Sequence, residues 1–325
     1  MTNINNTSTL NLLEHTGVVI VIPVYEDAES ARLLFHALSK VVPDAWIVAV
    51  DDGSLVQPLN EEVLTSSGMQ GSVIRLRRNL GHQGAIAVGL SYVKETLREC
   101  QCVVVMDSDG EDTVASVRQL LEGFAHSAAD VRVAVRNKRS ESFSFRLFYK
   151  LYKFLFRLLT GKTINFGNFM VLKPAALNRI TAMNETWIHL ASAIIASKLR
   201  IEGITIDRGI RYSGSSRMNF VSFVLHGFKA IMVFSESVLI RLGGASLFVA
   251  IIAIIAGLFA ILLKTVDAAS PGWTTTVLSS MVQILLQTGL LTLVTLMMTG
   301  TVRMSGLHQI DYKSFLDNII EVRKQ

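Results

Sequence analysis

The sequence predicts an α/β fold: a mostly parallel, Rossmann-like sheet flanked by helices, then amphipathic interfacial helices and two C-terminal transmembrane helices. Three observations predict it. Short apolar runs alternate with helical patterns through the first 136 residues. Acidic and glycine-containing clusters fall at the carboxyl ends of those runs. Two long uncharged stretches lie near the C-terminus. Uninterrupted apolar strands alternating with helices are the signature of a parallel sheet covered on both faces, and such sheets bind ligands beyond the carboxyl ends of their strands.

In chain order, Met1 to Gly17 is a polar tail without the basic start and apolar stretch of a signal peptide. Strands are expected at Val18–Pro23, Trp46–Asp51, Val73–Leu76, Cys102–Asp107 and Val131–Val135. The helices between them are Ala28–Lys40, about Gln83–Arg98 and about Val114–His126. Residues 143–159 interleave Phe143, Phe145, Phe148, Tyr149, Tyr152, Phe154 and Phe156 with Arg146, Lys150, Lys153 and Arg157. A basic aromatic helix of this kind suits a lipid headgroup boundary. Residues 219–242 form a second apolar helical stretch, broken by His226, Lys229, Glu236 and Arg241, which leads into the first span. Gly243–Leu263 is 21 residues without a charge, and Val277–Val302 is a second uncharged run. Each can cross a hydrocarbon core of about 30 Å, giving expected spans at about 243–264 and 277–302.

Basic residues set the expected orientation. Lys229 and Arg241 precede the first span, and Arg303, Lys313, Arg323 and Lys324 follow the second. The connecting loop holds only Lys264 against Asp267. The positive-inside rule then places residues 18–218, both termini and a tail at 303–325 in the cytosol. The net charge of +5 and the apolar fraction of 50% suit anionic lipid, and no aromatic-basic pattern of a nucleic-acid module is present. The two cysteines, Cys100 and Cys102, provide neither a zinc quartet nor a disulfide framework and read as reduced core residues.

Asp107-Ser108-Asp109 is the sharpest chemical signal. Two carboxylates one residue apart, at the exit of a buried strand, make a site for Mg²⁺ or Mn²⁺, hard cations that share oxygen ligands with substrate phosphates. Alone, Asp-x-Asp is more often a solvated acidic turn. Here Tyr25-Glu26-Asp27, Asp51-Asp52-Gly53-Ser54 and Arg78-Asn79-Leu80-Gly81-His82-Gln83-Gly84 stand at the ends of other strands. Carboxylates after adjacent strands repel unless a cation or ligand hydroxyls lie between them. Gly81 and Gly84 let backbone approach a ligand, or serve as simple turn and helix-start residues.

Together these residues resemble the family 2 glycosyltransferases with the GT-A fold, and within them the membrane-attached polyprenyl-phosphate group that is like dolichol-phosphate mannose synthase. The resemblance runs from about Val18 to Arg217. It is carried by Ile22-Pro23-Val24-Tyr25, Val50-Asp51-Asp52-Gly53-Ser54, Arg78 to Ala85, Met106-Asp107-Ser108-Asp109 and Arg211-Tyr212-Ser213-Gly214-Ser215-Ser216-Arg217. It implies that Pro23, Tyr25, Asp27, Asp52, Gly81 and Ser108 line the donor nucleotide, and that Asp107 and Asp109 hold the cation and its diphosphate. It implies that Arg211 and Arg217, with Arg136, Arg139 and Ser216, face phosphate groups. Four departures stand out. Tyr25-Glu26-Asp27 replaces the commoner Tyr-Asn-Glu. Glu111 stands where Gln is common and adds a candidate metal ligand. Gly167-Asn168-Phe169 replaces Gly-Asp-Phe, and Arg217 replaces Lys.

The expected activity is an inverting, metal-dependent transfer from a UDP- or GDP-linked sugar to polyprenyl (undecaprenyl) phosphate at a bacterial inner membrane. A polyprenyl phosphate oxygen is already anionic and needs no general base. A hydroxyl acceptor on a lipid-linked oligosaccharide needs one, and Glu185, then His189, are the candidates. A membrane scaffold that binds nucleotide sugars without turnover is the remaining alternative, against which the intact Asp107 and Asp109 argue. The resemblance also makes a homo-oligomer, a tetramer among the options, an expectation.

Overall fold

A computed structural model describes residues 17–97, 99–136, 143–212, 220–266, 270–305 and 310–323. Strands β1 (Val18–Val24), β2 (Trp46–Asp51), β3 (Gln70–Leu76) and β4 (Cys102–Val105) pair in parallel around β1. β1 and β4 are apolar runs with both faces covered, and β3 also carries Gln70, Ser72 and Arg75. β2 is buried at every position. The helices between them are α1 (Ala28–Val41), the short α2 (Glu62–Thr65) and α3 (His82–Thr96), and α4 (Val114–Leu121) follows β4.

β5 (Val131–Arg136) and β6 (Met170–Leu172) extend the sheet, with α5 (Phe143–Thr160) between them in sequence. Next come α6 (Pro174–Thr181), α7 (Glu185–Ile188), α8 (Leu190–Ala196), β7 (Ile201–Ile206) and α9 (Phe220–Met232). The order across the sheet is β7-β5-β6-β4-β1-β2-β3-β8, where β8 is Leu316–Val322. β6 is antiparallel to β4 and β5, and β8 is antiparallel to β3. The mostly parallel sheet is as expected from the apolar strands. The antiparallel β6 and β8 and the parallel edge strand β7 add to it. Alternate side chains of the central strands feed two cores. Val19 and Val21 pack with α3, α6 and α8 residues, and Ile20 and Ile22 with those of α1 and α4. Cys100 and Cys102 are both buried thiols, and burial pushes Cys102 up to about 12.

The C-terminal segment is part of this sheet. Arg77 donates its backbone N–H to the Phe315 carbonyl at 2.9 Å, and β8 then pairs along β3 from Leu316 to Val322. Tyr312 donates to Glu95 at 3.0 Å, Lys313 pairs with Glu95 at 2.8 Å, and Tyr92 donates to Glu321 at 3.3 Å. The residues expected as a tail therefore cover an edge of the sheet that would otherwise present unpaired backbone.

A second unit comprises residues 147–163 and 234–308. The apolar stretch expected over 219–242 is divided. α9 ends at Met232, and α10 (Ser235–Thr265) begins after Phe234, which packs edge-on against Phe156 at 5.8 Å. α10 and α11 (Trp273–Ser305) pack together as a hairpin. The residues of α10 that the hairpin buries are small: Ser246, Ala253, Gly257 and Ala260. Small residues let helix backbones approach, as in membrane bundles. Leu247, Phe248, Ile251, Ile252, Ile255 and Leu258 remain exposed on α10. Both helices are long and apolar enough to cross a membrane. An exposed face of that size is tolerated in lipid and costly in water.

Removing residues 310–325 uncovers β3 and deletes the Glu95 contacts. The truncated protein, in detergent, is expected to unfold at least about 5 °C below the full chain. An unchanged thermal midpoint would show that β8 is dispensable.

Candidate active site

Carboxylates gather at the strand ends, some held by backbone N–H groups and others by guanidinium groups. β1 delivers Pro23, in register with Val50, and then the half-exposed Tyr25. Glu26 has φ 49°, a conformation uncommon for a side chain larger than glycine. Its carboxylate accepts backbone N–H groups from Leu55 at 2.7 Å, Val56 at 3.1 Å and Gln57 at 2.7 Å, and its own N–H donates to Ser54 Oγ at 2.8 Å. Glu26 thus ties the turn after β1 to the loop after β2. Asp27 precedes α1 without a side-chain capping bond.

Asp51 and Asp52 divide the work of the second turn. Asp51 is fully buried and accepts from Ser54 N–H and Leu59 N–H, both at 2.9 Å. It is a structural staple. Asp52 accepts from Leu80 N–H at 2.7 Å, which locks the turn to the loop after β3. Burial raises Asp52 to about 6, against backbone N–H groups of Leu80 and Gly81 that lower it. Gly53, which follows Asp52, has φ 73°, and a Cβ there would stand 2.7 Å from the Arg78 carbonyl carbon. Only glycine permits that approach. Backbone N–H groups therefore hold these two carboxylates, and no cation is required for them.

The loop after β3 turns at Gly81, φ 81°, and starts α3 with His82. His82 Nε2 lies 3.3 Å from Asp107 Oδ1 and 3.0 Å from Asn168 Nδ2. Asp107 receives further order through its own N–H, which donates to the buried Asp112 carboxylate at 3.1 Å. Ser108 is buried between the two acids. Asp109 Oδ2 pairs with Arg211 at 2.7 Å, and its Oδ1 accepts from Glu111 N–H at 2.9 Å. Glu111 is engaged by two guanidinium groups, Arg208 and, at 3.3 Å, Arg211. These arginines hold its carboxyl below the usual range, although burial opposes them. Tyr212 N–H donates to the Asp109 carbonyl at 2.9 Å, and a Cβ on Gly110 would lie 2.6 Å from the Tyr212 ring. The segment after β7 is thus zipped against the Asp-Ser-Asp turn.

The donor set fits a hard cation. Two carboxylates stand at the exit of β4. Among the described residues no group of three His, Cys, Asp or Glu side chains is arranged to hold an ion. A cation here would rest on Asp107, Asp109 and oxygens of a bound ligand, the usual arrangement for Mg²⁺. Glu111, the further candidate ligand, pairs with Arg208 and Arg211 in this structure. Arg139, Ser216 and Arg217 lie outside the described residues, as does the Arg136 side chain. Glu185 opens α7, which packs against α3. The sequence reading missed Phe315. Its ring lies 5.8 Å from Trp187 and under the Arg78 guanidinium at 5.6 Å, so the C-terminal segment braces both the α7 turn and the loop after β3. Phe315 lies 237 residues from Arg78 and 128 from Trp187, beyond the two long apolar helices, and no local pattern signals these contacts.

The family model described as "Glycosyl transferase family 2" matches residues 19–187, just over half of the chain. The chain belongs to glycosyl transferase family 2. Among its relatives is an uncharacterised glycosyltransferase of Bacillus subtilis, YkoT, 23% identical over 81% of this chain and 80% of that one. An undecaprenyl-phosphate 4-deoxy-4-formamido-L-arabinose transferase of Salmonella paratyphi A is 27% identical over 64% of each. In structure, the chain is similar to glucosyl-3-phosphoglycerate synthase of Mycobacterium tuberculosis in complex with Mn²⁺, UDP-glucose and phosphoglyceric acid. The TM-score is 0.50 at 13% identity, over 69% of this chain and 80% of that one. This likeness establishes the GT-A-like architecture that the mixed sheet displays.

Asp52 makes the site pH-sensitive. Its folded value is raised above 3.8, so between about pH 4 and 6 the folded state keeps a proton that the unfolded state releases. This group's contribution to stability therefore falls as pH rises through that window. Asp52→Asn lacks the decline, and its stability relative to wild type is expected to rise from pH 4 to 7 by up to roughly 3 kcal/mol. Parallel pH curves for the two proteins in denaturant titrations would refute the assignment.

Proposed function

We propose that this glycosyltransferase moves a sugar, with inversion, from a nucleotide-diphosphate sugar to polyprenyl phosphate at the cytosolic face of a bacterial inner membrane. The observation that carries the reading is the Asp107-Asp109-Arg211 cluster at the carboxyl end of the central strands. It joins hard-cation ligands to a phosphate-binding guanidinium. The undecaprenyl-phosphate transferases among the relatives support the acceptor class. The α10–α11 hairpin supports the membrane, since β8 after it lies in the same sheet as β1 before it. This chain order supports one side for both halves of the sheet, and the basic residues flanking the spans support the cytosol as that side.

In this reading Tyr25 and Asp52 border the nucleoside, and Asp107 and Asp109 hold a Mg²⁺ or Mn²⁺ ion with the diphosphate. When bound, that ion supplies Lewis-acid stabilisation of the departing diphosphate. Arg211 supplies permanently charged, forked donors to the same phosphates. The acceptor oxygen is anionic and attacks the anomeric carbon from the face opposite the leaving group. The protein's contribution is positioning and charge neutralisation rather than proton removal.

Two variants test the reading in membranes supplied with nucleotide sugars and undecaprenyl phosphate. Asp109→Ala is expected to abolish metal-dependent transfer, by a factor of about 10³ or more, while the protein still inserts. Full activity would overturn the metal assignment. Glu185→Gln is expected to stay within about threefold of wild type, because a phosphate acceptor needs no base. A loss of several orders of magnitude would show that the acceptor is a hydroxyl.

A further inference from the structure

α9 carries a site that the donor pocket does not use. One of its faces is an apolar stripe, with Val221, Leu225, Phe228 and Met232 all more than half exposed. On another, buried Gly227 and Ala230 flank His226, where α9 packs against α7 and α8. His226 Nε2 meets His189 Nε2 at 3.1 Å, with the ring centres 4.5 Å apart.

The hydrogen bonds fix where the protons sit. His189 is buried, and its Nδ1 accepts the Ser192 N–H at 3.1 Å, so that nitrogen is bare. Burial holds His189 down at about 3, with His226 and Lys229 adding to the effect. A neutral ring with a bare Nδ1 carries its proton on Nε2 and donates to His226. His226 Nε2 is then the acceptor, and its own proton lies on Nδ1.

Two more donors surround the pair. Gln83 is buried, and its Oε1 accepts the Leu190 N–H at 2.6 Å, beside His189. Its Nε2 has no partner, and neither does the Oγ of fully buried Ser192. Buried polar groups left this way cost about 1–3 kcal/mol each unless a ligand or water completes them. Lys229 lies one turn beyond His226 and close enough to influence both rings, as is His82. Among the described residues no carboxylate hydrogen-bonds to either ring. The set is therefore rich in donors: His226 Nδ1–H, Gln83 Nε2–H, Ser192 Oγ–H and the Lys229 ammonium. His82, which lies 3.3 Å from Asp107, acts on both rings, and His226 and Lys229 share α9 with the exposed apolar stripe.

We infer that the His189–His226 pair, with Gln83, Ser192 and Lys229, binds a phosphate monoester, the headgroup of the lipid acceptor whose chain follows the apolar stripe of α9. Arg211 is held by Asp109 and Glu111 on the donor side, which leaves this second cluster to receive the incoming phosphate. The inference rests on the polyprenyl-phosphate reading and adds the residues that recognise it. His226 and Lys229 touch the acceptor. His189 and Gln83 act through them as positioning residues.

The test uses the full-length protein in nanodiscs with a nucleotide sugar that supports transfer. Undecaprenyl phosphate and undecaprenol are compared as acceptors, with and without phosphatidylglycerol. Wild type is expected to use the phosphate and not the alcohol. His226→Phe and Lys229→Gln are each expected to raise KM for undecaprenyl phosphate about tenfold or more while KM for the nucleotide sugar is unchanged. His226→Asn, whose amide replaces the Nδ1 donor, is expected to recover most of the loss. An unchanged acceptor KM in both His226→Phe and Lys229→Gln, with wild type using the phosphate, overturns the site and leaves the reading standing. A KM rise that appears only with phosphatidylglycerol assigns the cluster to bilayer lipid and also overturns it. Wild type that transfers to neither lipid overturns the reading and the site together.

Discussion

Carboxylates crowd the carboxyl ends of adjacent parallel strands, and the architecture of the site depends on how each is compensated. A strand end in a parallel sheet gathers side chains that would otherwise repel one another in a poorly solvated cleft. Backbone N–H groups compensate Glu26, Asp51, Asp52 and Asp112. Guanidinium groups compensate Glu111 and Asp109. The contacts of Glu26, Asp52, Asp109 and Glu111 join different segments, whereas Asp51 and Asp112 bond within their own turns. Glu26 fastens the turn after β1 to the loop after β2, Asp52 fastens that turn to the loop after β3, and Arg211 fastens the segment after β7 to the turn after β4. Charge compensation and loop ordering are the same set of contacts.

This explains why two adjacent aspartates behave differently. Asp51 points into the fold and spends both oxygens on its own turn. Asp52 bonds through Oδ1 to Leu80, on the ligand side of the sheet, and its raised value reflects incomplete compensation of a buried charge. Asp109 is also divided. One oxygen orders the following turn, and the other faces Arg211. In the proposed reaction, a ligand phosphate would offer Arg211 oxygens in place of that carboxylate and leave Asp109 available to a cation.

Much of this was legible in the sequence because it is local. The central strands are unbroken apolar runs, and the Asp-Ser-Asp turn follows one of them directly. The carboxylate assignments were not legible, since Asp51 and Asp52 differ only in the direction that the chain takes after β2. β8 was hidden for a different reason. Leu316–Val322 is short, mixed in polarity and pairs with a strand more than two hundred residues earlier, across a hairpin that dominates the local hydropathy. The His189–His226 contact likewise joins α8 to a helix whose own pattern signals only an amphipathic surface.

Asn168 shows how the charge argument reaches a single departure from the family pattern. His82 Nε2 sits between Asp107 Oδ1 and the Asn168 amide. With Nε2 bare, the ring accepts the Asn168 amide N–H at 3.0 Å, while Asp107 Oδ1, 3.3 Å away, takes no hydrogen bond from it. An aspartate at 168 would put a second carboxylate on one imidazole and another negative charge beside Asp107. His82 would then be held as a cation, compensating the acids that the proposed metal ion would also bind. With an amide there, His82 can stay neutral beside Asp107 without competing for its charge.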